Sequence, residues 1–342
     1  LVALAAVSSS VCAAPAPLVR DIAPSLYEVV YSPHSDAVFV ASARNPDGEG
    51  GVVYKLDPAT LAVRARIAVP LKPFSLALDE KTDTLYVGHT VDAAVSAIDA
   101  ATGTLKGTLR HGEVDAEGKP VHVRELAVDA RAGLLFVGGV SDGGFLWVID
   151  TATFKTRKIL RGGDLPSIGL TPDPAHQRLY VSGTAAYAVI DTRTLATIGT
   201  QRIPEKRDDK DGKRRFLVNT ALDADGKRLF ANQLNNGEGT LVFDTASGKL
   251  LQTIATGDMP LGIRFNPARN EVYVASRGSG TFSVIDADSY AIKRSIALPT
   301  HPNTIALSKD GKTAWVTVKQ ASAGRDAPPV DEQVARIDLA TP

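Results

Sequence analysis

What this sequence lacks removes several classes of function at once. It holds one cysteine, Cys12, in 342 residues, so no intrachain disulfide and no thiolate cluster for zinc or iron–sulfur ligation can form. Lys+Arg and Asp+Glu are equal at 38 each. No global field therefore draws nucleic acid or acidic membranes, and any anion site must be a local arrangement. Beyond the first residues no segment approaches the roughly 18 consecutive apolar residues of a spanning helix. There is no glycine-rich phosphate loop, no GxSxG, no HExxH and no CxxCH haem attachment. DADG (223–226) and DKDG (209–212) open like calcium loops but lack the third acidic ligand and the distal glutamate, so they read as hairpin turns. No 11-residue window carries a helical stripe.

The stretch LVALAAVSSSVCAAPAP (1–17) is an apolar core followed by small residues. It reads as the later part of a secretory signal peptide, with residues 1–13 removed by cleavage before Ala14. A lipid anchor is not expected, because Ser9 and Val11 stand where a lipoprotein signal needs Leu and a small residue. The mature chain would then have no thiol and would reach a bacterial periplasm with its stability left to packing.

What is present is repetition. KLDPAT (55–60), AIDAAT (97–102), VIDTAT (148–153), VIDTRT (189–194), VFDTAS (242–247), VIDADS (284–289) and RIDLAT (336–341) share one pattern. Their aspartates, Asp57, Asp99, Asp150, Asp191, Asp244, Asp286 and Asp338, stand 41 to 53 residues apart. An aromatic precedes each one: Phe39, Tyr86, Phe136, Tyr180, Phe230, Tyr273 and Trp315. Within a unit, short β-rich runs alternate with turn clusters, as in LGIRF, EVYVAS, TFSVID and AIKRSIAL (261–298). Four strands per unit and seven units predict an all-β, seven-bladed propeller over 14–342, one domain because a lone blade cannot bury both faces. The last unit stops before its fourth strand, and Leu18–Ile22 has the right shape to supply it, so the N-terminal strand is expected to close the ring. A repeated Asp-x-x-Thr/Ser cannot be a catalytic pair; it is expected to build the turn between the third and fourth strands.

These repeats carry a resemblance. GGVVYKLDPATL (50–61), LKPFSLALD (71–79), FNPARNEVYVASR (265–277), SVIDADSY (283–290) and PTHPNTIALSKDGKT (299–313) are similar to the YncE family of periplasmic seven-bladed propellers, part of the wider group with Tyr-Val-Thr-Asn-type repeats. The resemblance covers the mature chain. It implies the propeller fold, and it makes single-stranded DNA binding, a capacity attributed to that family, an expectation here. Fold alone does not license that step. Related propellers host lactonases and quinone- or haem-using oxidoreductases, so a propeller enzyme is one alternative. A protein-interaction scaffold of the cell envelope is another. No cofactor is implied, and a monomer is expected.

The enlarged loops, among them 42–51, 110–124, 204–216, 232–239 and 319–333, all precede an inner strand or join a second strand to a third. They therefore share one face, where function usually sits. Aligning the entries to the inner strands yields columns expected at the channel mouth. Repeat consensus leaves Tyr27-Glu28, Phe74, Arg124-Glu125, Asn219 and His301-Pro302-Asn303 unexplained; Lys72 and His122 from the same columns, and Arg215 and Phe216 at the end of one basic loop, are further candidates. Tyr27, Phe74 and Phe216 offer stacking faces, and Lys72, Arg124, Arg214 and Arg215 offer phosphate partners, the combination that sequence-tolerant single-strand binding uses. The same residues would serve another anionic ligand. Glu28 and Glu125 would be a general acid/base pair if they met. His122 and His301 share a column but lack the spacing of a metal site, and none is assigned.

Overall fold

The computed structural model describes residues 15–140, 143–162, 165, 167–203, 216–234, 239–321 and 328–340. Seven four-stranded antiparallel sheets follow one another along the chain. Their first strands are Leu26–Ser32, Ser75–Asp79, Val123–Asp129, Gly169–Asp173, Phe216–Leu222, Pro260–Asn266 and His301–Leu307. Each of these touches the first strand of the next blade, and the seventh touches the first, so they line the central channel of a closed ring. Among the described residues the only helix is a 3-10 turn, Thr90–Asp92. None is long and apolar enough to cross a membrane.

The core is divided among the joints between blades. Each of seven hydrophobic clusters straddles two neighbouring sheets; one joins Tyr273 and Phe282 of the sixth blade to Ile305, Val316 and Ala335 of the seventh. All seven repeat aromatics are at most 2% exposed, which explains their recurrence: each fills a joint. Close approach between inner strands demands small residues. A Cβ on Gly262 would stand 2.5 Å from the Asn303 carbonyl of the next blade.

The seventh blade is closed as expected. Leu18–Ala23 pairs antiparallel with Glu332–Asp338, Leu18 opposite Arg336 and Arg20 opposite Val334. A buried polar latch reinforces the seam. Glu332 Oε2 accepts the Leu26 N–H at 2.6 Å and Lys319 Nζ at 2.9 Å, while Lys319 also donates to the Leu26 carbonyl at 2.5 Å.

The repeated aspartates build turns. Asp286 Oδ1 accepts the Ser289 N–H and the Ser289 hydroxyl, both at 2.8 Å. Asp57, Asp99, Asp150, Asp191 and Asp244 hold the Thr or Ser three residues on in the same way. Those hydrogen bonds stabilise the carboxylates and lower the pKa of Asp286 and of these five counterparts.

Candidate functional site

Register shifts in the inner strands aim side chains into the channel. They fall between Leu26 and Val29, Val123 and Leu126, Leu217 and Thr220, Pro260 and Gly262, and Pro302 and Ile305. In a regular strand, neighbours point to opposite faces. At a bulge that alternation breaks, and consecutive residues can face one way. Tyr27 with Glu28, Arg124 with Glu125, and Asn303 with Thr304 all line one cavity of about 200 Å³ at the mouth. Phe74, Asn219, Leu261, Arg277 and Lys319 complete its wall, so six of the seven blades contribute.

Seven of the residues predicted from sequence therefore converge: Tyr27, Glu28, Phe74, Arg124, Glu125, Asn219 and Asn303. Lys72 and His122 are exposed on the rim outside this wall. Phe216 is half-buried at the start of the fifth inner strand and bridges to Thr184. Arg214 and Arg215 lie outside the described residues. His301 acts from behind the wall, its Nδ1–H donating to the Arg277 carbonyl at 3.0 Å.

The aromatics are packed on one another. Tyr27 and Phe74 lie with ring centroids 4.5 Å apart at 38°. Lys319 Nζ sits 4.1 Å from the Tyr27 ring centre and the Arg124 guanidinium 5.6 Å from that of Phe74, so each ring already carries a cation. The Tyr27 carbonyl is held by the Thr304 and Thr317 hydroxyls at 3.0 and 2.9 Å. Asn219 donates to the Leu261 carbonyl at 3.0 Å.

The acids form the floor. Glu28 is buried, and Arg264 Nη2 donates to its Oε1 at 3.5 Å. Burial, and then the charge of Glu125, push its carboxyl up to about 8, against the pull of Arg264 and Arg124. Burial raises Glu125 as well, with the same two arginines opposing. Burial thus favours the protonated form of Glu28. Among the described residues no group of three or more His, Cys, Asp or Glu side chains is placed to hold a metal ion.

Sequence reasoning missed three cations. Arg277 stands in a short turn, RGSG, without an insertion to mark it. Lys319 ends a second strand, and Arg264 lies farther down an inner strand than the columns considered.

No family model matches the chain. It is 37% identical to "Uncharacterized protein YncE" of Salmonella typhimurium strain LT2 over 343 aligned residues, covering 98% of this chain and 94% of the relative. Against the protein of that name from Escherichia coli strain K12 the identity is 37% over 335 residues, covering 97% and 93%. Among solved structures, Kuenenia stuttgartiensis hydrazine synthase superposes with a TM-score of 0.74 at 16% identity, covering 94% of this chain and 97% of that one. That last likeness concerns the fold alone.

Proposed function

Because the chain belongs to the YncE family of seven-bladed β-propellers, we propose that it is a binding protein which takes an anionic ligand at the channel mouth, with single-stranded nucleic acid as the ligand class. The observation that carries this reading is the meeting of Arg124, from the third blade, and Arg277, from the sixth, in one cavity, beside a buried Glu28 whose pKa is pushed up. Guanidinium groups present forked donors that match phosphate and carboxylate oxygens. A cavity of about 200 Å³ admits part of one nucleotide. The remainder of a strand would lie across the long-loop rim, where Lys72 is exposed. Tyr27 and Phe74 already pack on each other, so they support Arg124 and shape the wall rather than offering free faces to bases.

We place the protein in the periplasm on the strength of the apolar, small-residue-tailed segment at 1–13; fractionation of cells that produce the protein checks this. Fluorescence anisotropy with a labelled oligonucleotide at two salt concentrations tests the ligand class. Affinity is expected to fall with added salt and to drop in Phe74→Ala and Arg124→Ala. No detectable binding at low salt would remove nucleic acid as the ligand.

A further inference from the structure

We propose that the channel mouth is a seat for a dianionic phosphate monoester, the group that ends a 5′-phosphorylated strand or that a mononucleotide carries. This rests on the anion-binding reading above and specifies which anion the cavity is built for.

Two guanidinium groups are available there. Among the described residues, neither Arg124 nor Arg277 has a side-chain hydrogen bond or an ion pair, while the nearby Arg264 is engaged with Glu28 and Lys319 with Glu332. Arg124 is held at its guanidinium and Arg277 at its backbone. Arg124 lies over the Phe74 ring at 5.6 Å, and the backbone of Arg277 is gripped by His301 at 3.0 Å. Donors ordered in advance lose little freedom when a ligand arrives. Asn303, buried in the same wall, adds a side-chain amide with no hydrogen-bond partner among the described residues.

Charge then selects the ligand. Arg264 is paired with Glu28 and Lys319 with Glu332, which leaves the two guanidinium groups of Arg124 and Arg277 facing the cavity with Glu125, whose pKa burial raises, as the remaining acid in its wall. A phosphate monoester carries about −1.5 to −2 at pH 7 and matches them. An internal phosphodiester carries one charge and leaves a guanidinium unanswered. The cavity, about 200 Å³ and walled by six blades, has room for a phosphate and part of its nucleoside.

Isothermal titration at pH 7 and low salt tests this with four probes: an oligothymidylate bearing a 5′-phosphate, the same oligomer with a 5′-hydroxyl, thymidine monophosphate and inorganic phosphate. The phosphorylated strand is expected to bind about tenfold or more tightly than the hydroxyl strand, the ratio one additional charge-assisted contact produces. Arg277→Gln and Arg124→Gln are each expected to erase that difference. Thymidine monophosphate binding as well as the phosphorylated strand would identify a free nucleotide as the source of the group, and tighter binding of the strand would identify a chain end. Equal binding of the two strands would overturn the monoester seat and leave nucleic-acid binding standing. Failure of all four probes would overturn both. The strand comparison uses the unaltered protein, so it decides the matter even if a variant fails to fold.

Discussion

Arg264, in the sixth blade, donates through Nη2 to Oε1 of Glu28, in the first, at 3.5 Å across the channel. Glu28 is also tied to the second blade, its N–H meeting the Phe74 carbonyl at 3.2 Å. One buried residue thus joins three blades, and the proton on its carboxyl has consequences for stability and for binding.

Stability should fall as pH rises through the window that Glu28 defines. The unfolded carboxyl titrates near 4.5 and the folded one at about 8. Between those values the folded state holds a proton that the unfolded state has released, so alkalinity favours unfolding, by at most about 1.4 kcal/mol per pH unit. Below the window the group contributes no slope. Glu28→Gln should melt above the unaltered protein at pH 8 and alongside it at pH 4. Thermal denaturation across this range checks the sign, and an unchanged slope in the variant would count against it.

Anion affinity should weaken above about pH 8, where Glu28 loses its proton. Glu125, Arg264 and Arg124 face it in the channel, and the Lys319–Glu332 pair flanks neighbouring Tyr27. Ionisation there adds a negative charge beside the seat. The limiting loss is about tenfold per pH unit for a binding event that needs one proton. Titrations of a phosphate ligand between pH 7 and 9 should show this decline in the unaltered protein and a flatter profile in Glu28→Gln.

The seam between the chain's two ends should govern the whole ring. Glu332→Ala leaves Lys319 buried without its carboxylate and the Leu26 N–H without an acceptor. Breaking a buried pair in this way costs about 3–5 kcal/mol. Deleting residues 15–23 removes the strand that pairs with Glu332–Asp338. Both changes should lower the midpoint of a single cooperative transition, seen by calorimetry. An unaltered midpoint in the truncated chain would contradict closure at this seam.

Asp286→Ala supplies a contrasting case. It removes the acceptor for Asp288, Ser289 and the Ser289 hydroxyl at a cost of about 1 kcal/mol. The turn joins a third strand to a fourth, on the face opposite the cavity, so ligand affinity should stay at that of the unaltered protein. Paired melting and binding measurements check both halves.

The columns of the inner strands could be read because each blade repeats the same four-strand plan, and alignment of the units therefore orders residues around a ring. Tyr27–Glu28 and Arg124–Glu125 emerged from that alignment as departures from consensus. Lys72, His122 and His301 shared the columns yet stand outside the cavity wall. For His122 and His301 the bulges explain the difference, since they turn residues two and three positions farther along toward the channel; the second blade, which carries Lys72, pairs without a shift, and there Phe74 alone lines the wall. Arg277 was hidden because its turn has ordinary length, and its importance comes from radial position.

Repetition made the architecture a local matter. Seven aspartate repeats, seven joint-filling aromatics and a strand missing from the last unit were enough to specify the blades, their number and the seam, since each feature acts within a unit or between neighbours. The state of the channel mouth depends on contacts of another kind. Glu28 and Arg264 are 236 residues apart. Whether an arginine is paired there, and whether a glutamate keeps its proton, follows from ångström-scale distances and water exclusion across the ring. Those quantities arise when seven blades close around one axis, and no pattern along the chain encodes them.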